Sequence, residues 1–260
     1  MSIMPLGVKI TELTKPSFRD PILIQGLPGL GFVAKLAVDY LIENLKPTLF
    51  AELYSIHLTF PSGDLGVTIG PDGTFSLPRY QFFASTNSGA HLILLTGDAQ
   101  PNLFGQYEVA EAVLDFVTKF GCRRVISLGG FRGRPRGEAR IVYGIVDDPI
   151  TTTEELKKLG VEVTRGGSVT GACGVILGLC RQRGMRCLGL LGETDGSYPD
   201  VSAAKALVQV IAQMYNLKID YSMLDTAIND IEEKLKTLRK LRAEVRKKTA
   251  ARERGPEFVI

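Results

Sequence analysis

Apolar and polar positions along this chain change period several times, and the changes divide it into segments. Continuous apolar runs such as "PILIQG", "AHLILLTG", "RRVISLGG" and "RCLGLLG" alternate with longer stretches. In these, "GFVAKLAVDYLIENL", "GQYEVAEAVLDFVTKFG", "TGACGVILGLCRQRG" and "VSAAKALVQVIAQMYN", the pattern is helical. The first kind reads as strands covered on both faces, the second as amphipathic helices. Leu92 to Leu95 and Val125 to Leu128 are apolar at consecutive positions, as doubly covered strands require. The alternation predicts an α/β domain with a largely parallel sheet and helices on both faces.

Two segments depart from this rhythm. Between Thr48 and Ser85, "TLFAELYS", "LGVTIG", "TFSLP" and "RYQFFAS" are strand-like pieces separated by Pro-Ser-Gly and Gly-Pro-Asp-Gly turns, which predicts an antiparallel meander attached to the main sheet. From Leu224 onward, Leu224, Ile228, Ile231, Leu235 and Leu238 recur at spacings of four, three, four and three, and Val245 keeps the phase after a break at Arg242. Charged residues fill the other positions, so the segment reads as an extended amphipathic helix with a narrow, coiled-coil-like seam. Two uses of the seam stand: packing on its own domain, or contact between copies in an oligomer. The chain thus divides into an αβα domain over 1–220 and a helix with a tail over 221–260. The last stretch, "KKTAARERGPEFVI", is basic, with Gly255 and Pro256 stopping a helix before the apolar Phe258, Val259 and Ile260.

Composition narrows the function. At 260 residues and 45% hydrophobic content the chain can bury a full core. Its 31 basic and 28 acidic side chains leave a net charge of +3, too balanced for a protein built to neutralise phosphate backbones, so nucleic acid is not an expected partner. No apolar run approaches the roughly 18 residues of a spanning helix, and the first residues lack a basic start followed by an apolar core. A cytoplasmic protein with no membrane partner is expected. Cys122, Cys173, Cys180 and Cys187 include no CxxC pair, and only His57 and His91 could supplement them as ligands. Buried, reduced thiols are the expected reading, with neither a metal site nor a cofactor.

Four motifs offer chemistry. Gly26, Gly29 and Gly31 form G-x-x-G-x-G, which matches neither the dinucleotide fingerprint nor the phosphate loop with its Gly-Lys-Ser/Thr ending. A tight strand-to-helix turn explains them better than an anion cradle. "LGGFRGRPRGEAR" sets Arg132, Arg134, Arg136 and Arg140 in a glycine-rich loop after a strand, where guanidinium groups could meet an acidic protein face or a phosphate, or simply be solvated. "GGSVTGACGVILGL" opens a helix behind Gly166, Gly167, Thr170, Gly171 and Gly174, with Thr170 as N-cap. In "GETDGSYPD", Glu193, Asp195 and Asp200 could hold a hard cation or act as acid and base, although Asp200 also occupies an ordinary N-cap position. No set of side chains forms a convincing catalytic group.

The order of "GLPGLGFVA", "SLGGFRGRPR", "GGSVTGACGVILGL" and "GLLGETDGSYPDVSAAKAL", over approximately residues 5–217, resembles the archaeal branch of the proteasome assembly chaperone family, often labelled ATP-grasp-like or carboligase-like. The resemblance implies a three-layer αβα sandwich similar to nucleoside phosphorylases and hydrolases but without their catalytic residues. It also implies homo-oligomers, and binding of proteasome subunits through a hydrophobic-Tyr-X ending that fits pockets between α subunits. Here the penultimate residue is Val259, which lacks the ring and hydroxyl of tyrosine. The expected function is therefore a non-enzymatic, homo-oligomeric assembly chaperone or scaffold that binds proteasome subunits or a related protein client. Phe258, Val259, Ile260, Arg132, Arg134 and Arg136 would meet the client, and Leu224, Ile228, Ile231, Leu235 and Leu238 would join the copies. The alternative is a nucleotide- or nucleoside-binding enzyme of ligase or phosphorylase type, with the glycine turns holding anions and Glu193 or Asp195 serving a metal or a proton.

Overall fold

The computed structural model describes residues 7–70, 72–86, 89–135, 139–196 and 199–229, and only the backbone of residues 149–152. Its backbone contacts separate two units, Met1–Ile219 and Asp220–Ile260. Among the described residues of the first unit, nine strands form one sheet. They are β1 (Val8–Glu12), β2 (Ile22–Gln25), β3 (Thr48–Ser55), β4 (Tyr80–Ser85), β5 (Leu92–Gly97), β6 (Arg124–Arg132), β7 (Val142–Val146), β8 (Val161–Val163) and β9 (Arg186–Thr194). Their spatial order is β1-β3-β4-β5-β2-β6-β9-β7-β8. The helices are α1 (Val33–Leu45), α2 (Gln106–Thr118), α3 (Pro149–Lys158), α4 (Gly171–Gln182) and α5 (Val201–Tyr215).

The centre of the sheet is parallel. β5, β2, β6 and β9 run together, with Ile24 between Leu94 and Ile126. β1, β3 and β4 join β5 in antiparallel succession, and β7 lies antiparallel to β9 while pairing parallel with β8. The sheet is thus mixed, not largely parallel as the element rhythm suggested. The link from Ser85 to Leu92 is too short for the dozen or so residues of a crossover, so β4 can only reverse into β5. The meander expected over 48–85 is partly realised: β3 and β4 pair within the main sheet, with a register shift between Leu49 and Ala51, whereas Thr68–Ile69 and Phe75–Ser76 form a ribbon of their own. β1 was not anticipated; its five residues are half exposed at the sheet edge and give too short an alternation to stand out.

Helices cover both faces. α1 and α5 pack together on one side and α2 and α4 on the other, while α3 lies against β7 and β8. Side-chain alternation along the strands divides the core accordingly: Leu23, Val125 and Cys187 join Ile176 and Leu179 in the cluster under α2 and α4. That cluster continues into Phe50, which stacks on Phe116 at 5.8 Å and meets Phe82 edge-on at 6.1 Å. β5, with all six residues buried, is the doubly covered strand its sequence predicted. α5 starts where Asp200 Oδ1 accepts the Ala203 N–H at 3.0 Å and ends at Asn216, left-handed at φ 51°.

In the second unit, residues 222–229 are helical, and Asp220 Oδ1 accepts the Ser222 N–H at 2.9 Å at their start. No helix among the described residues is long and apolar enough to cross a membrane.

Candidate functional site

The carboxyl ends of β2 and β6 meet three glycine-rich segments around a cavity of about 870 Å³. Gly29 and Leu30 come from the β2–α1 turn, Gly129 to Arg132 from the end of β6, and Gly166 to Gly171 from the loop that enters α4. Motifs far apart in the chain therefore share one wall. Within the first turn, Gly26 serves close approach: a Cβ there would overlap the Ala34 carbonyl oxygen and come within 2.5 Å of Val38 Cγ2. This agrees with the tight-turn reading.

Two glutamines hold the cavity's frame. Gln25 is only 3% exposed, and its Nε2 donates to Ser127 Oγ at 3.2 Å and to the Ala172 carbonyl at 3.5 Å, tying β2 to β6 and to the first turn of α4. Gln100 Nε2 donates to the Pro28 carbonyl, and its Oε1 lies beside Gly171. Neither glutamine was picked out from the sequence. The signal for Gln25 was a polar residue closing an apolar strand in "PILIQG", where burial demands a partner.

Arg132 lies at the cavity mouth, and its Nη1 donates to the Asp195 carbonyl at 3.4 Å. Arg134 is exposed. Arg140 turns inward, pairing with Asp200 Oδ2 at 3.3 Å. The arginines are therefore not one clamp, since Arg140 braces the start of α5. The carboxylates are likewise divided: Asp200 caps α5, while Glu193 packs beside Gly133, behind the arginine loop. Phe131 lies 4.5 Å from Tyr143, ring to ring. Desolvation, then the Glu193 and Glu162 carboxylates, raise the Tyr143 phenol above its ordinary value.

Cys122, Cys180 and Cys187 are buried in the core under α2 and α4, as expected of structural thiols. Burial raises Cys180 to about 12. Cys173 lines the cavity, donates to the Ser127 carbonyl at 3.8 Å and is raised by burial to about 11, which keeps it a protonated thiol at neutral pH. The histidines engage other groups: His57 Nε2 lies 3.2 Å from Glu108 Oε2, and His91 Nδ1 accepts the Arg19 N–H at 2.8 Å.

Of the expected contact residues, Arg132 is the last residue of β6, Arg134 is on the loop that follows, and Leu224 and Ile228 are on the 222–229 helix. Arg136, Ile231, Leu235, Leu238, Phe258, Val259 and Ile260 lie outside the described residues.

The sequence profile of the PAC2 family matches residues 23–239. The chain belongs to the PAC2 family. The match runs past the span read from motifs, into the segment that carries Leu224, Ile228, Ile231, Leu235 and Leu238. An uncharacterized protein of Methanocaldococcus jannaschii, MJ1210, is 30% identical to this PAC2 chain over 239 residues, covering 90% of it and 89% of the relative. Among solved structures, Pyrococcus furiosus PbaB, an archaeal proteasome activator, is similar with a TM-score of 0.81 and 35% identity, over 90% of this chain and 99% of that one. Pyrococcus furiosus PbaA, an archaeal homolog of proteasome-assembly chaperone, has a TM-score of 0.76 and 27% identity, over 95% and 97%. These relatives lend no support to an ATP-grasp or carboligase label.

Proposed function

We propose that this PAC2 protein is a non-enzymatic assembly factor or scaffold that acts on proteasome subunits or a related protein client as a homo-oligomer. The observation that carries the reading is the near full-length likeness to PbaA and PbaB, one described as a homolog of a proteasome-assembly chaperone and the other as a proteasome activator. The dispersed arginines and carboxylates agree with it, because Arg140 and Asp200 serve α5 and are not arranged around a reacting atom. In this reading the seam of Leu224, Ile228, Ile231, Leu235 and Leu238 joins copies through an extended helix. Phe258, Val259 and Ile260 then engage the client, with Arg132, Arg134 and Arg136 steering approach to an acidic face. Several tails on one oligomer would bind more tightly than one wherever geometry lets them engage together. The higher identity to PbaB favours a second form of the same reading, in which the client is the assembled core particle.

Native mass spectrometry of the protein mixed with archaeal proteasome α subunits, beside a peptidase assay of the assembled core particle, separates these. Capture of α subunits by a homo-oligomer supports the assembly role, and stimulated peptide hydrolysis supports the activator role. A protein that does neither is not a proteasome factor.

A further inference from the structure

The cavity at the ends of β2 and β6 is not needed to bind a client through a tail, and its lining has a definite chemistry. Its volume of about 870 Å³ falls within the range of roughly 300–1,000 Å³ typical of small-molecule clefts. It opens outside the carboxyl ends of parallel strands, where α/β sheets hold ligands. Leu27, Leu30, Leu128, Leu177 and Leu191 make its walls aliphatic. Among the described lining residues Arg132 is the one cationic side chain and no carboxylate occurs, so the formal charge of that lining is positive. α4 begins on the same lining, and Thr170 at its N-cap makes no side-chain capping bond, so the positive end of the helix adds to the same sign.

The loop leading into α4 keeps the mouth open. Gly166 and Gly167 have φ of +75° and +94°, and nothing lies within 4 Å of where their Cβ atoms would be. Gln25 and Gln100, locked to Ser127 and to the Pro28 carbonyl, hold the floor and the turn in place without a ligand. A cleft with aliphatic walls and an arginine on its lining disfavours cations, and inorganic anions would leave those walls unfilled.

We propose that this cavity binds a small amphiphilic anion: an apolar body seated among the leucines, with one carboxylate or phosphate head group held by Arg132. The head group is the shared chemistry; an aliphatic acid and a nucleoside monophosphate are its two sources. Isothermal titration calorimetry with octanoate and with adenosine 5′-monophosphate, using inorganic phosphate as the bodiless control, tests the site on the full chain. Two variants accompany it. Arg132→Gln removes the cation, and Ser168→Trp, at an exposed loop position on the lining, fills the mouth without touching the core.

The expected result is saturable binding of octanoate or the monophosphate at one site per chain, and none of inorganic phosphate. Which of the two binds identifies the source. Affinity falls about tenfold in Arg132→Gln, the range of a lost charge-assisted hydrogen bond, and is lost in Ser168→Trp, with both variants melting as the parent does. Absence of heat with both organic probes at millimolar concentration overturns the proposal. Binding that survives Ser168→Trp also overturns it, because the probe then sits outside the cavity. Binding lost in Ser168→Trp but unchanged in Arg132→Gln overturns the anionic head. Client capture by Ser168→Trp, followed by native mass spectrometry, is expected to equal the parent's, because Ser168 is not among the residues assigned to the client.

Discussion

Gly26 and Gly29 sit three residues apart in one turn, yet the structure separates their roles. At Gly26 any side chain runs into the Ala34 carbonyl and Val38, both backed by packed helix. At Gly29, whose backbone is extended at φ −170°, the nearest atom to a Cβ is Gln100 Nε2 at 3.4 Å. Gly26→Ala is expected to lower stability by about 1–3 kcal/mol, as overpacking does. Gly29→Ala is expected to stay near the parent, and thermal melts of the two variants check the contrast. Burial also raises the thiols of Cys122, Cys173, Cys180 and Cys187 in the folded chain. A folded-state value above the unfolded one means that the unfolded chain loses its thiol protons first as pH climbs. Stability is therefore complete below the ordinary value of 9.0 and is lost as pH rises towards about 11 for Cys173 and about 12 for Cys180. Between those limits each of these two thiols lowers stability by about 1.4 kcal/mol per pH unit. The urea midpoint is expected to be lower near pH ~10 than near neutrality.

At the scale of elements, helix identity was legible and pairing was not. α1, α2, α4 and α5 each carry a sustained helical period, which depends on residues within one segment. β1 and β7, by contrast, are short, and their direction depends on strands far away in sequence. α5 shows how one residue links the two levels. Asp200 was readable as an N-cap from its place before "VSAAKAL", but its ion pair with Arg140 could be known only once the loop after β6 had folded back. Asp200→Ala is expected to cost about 1–2 kcal/mol for the cap alone. Asp200→Asn, which keeps an acceptor for the Ala203 N–H and removes only the charge, is expected to fall between Ala and the parent in urea denaturation.

For the whole molecule, the proposed division of labour between an α/β unit and a client-binding tail has a direct test. Deleting residues 246–260 is expected to leave the melting midpoint of the α/β unit unchanged while weakening capture of α subunits, measured by native mass spectrometry; undiminished capture would remove the tail from the mechanism. The α/β class, the chief helices and the membership suggested by the order of four motifs were determined by the sequence alone, because hydrophobic periodicity and turn chemistry are local properties of the chain. The convergence of "GLPGLG", "LGGFR" and "GGSVTG" on one cavity, the anchoring by Gln25 and Gln100, and the separation of Arg140 from Arg132 were decided only in the tertiary structure. The reason is the strand order: β2 lies beside β6, about a hundred residues later in the chain. Long-range pairing, which no local pattern encodes, sets which loops share the end of the sheet.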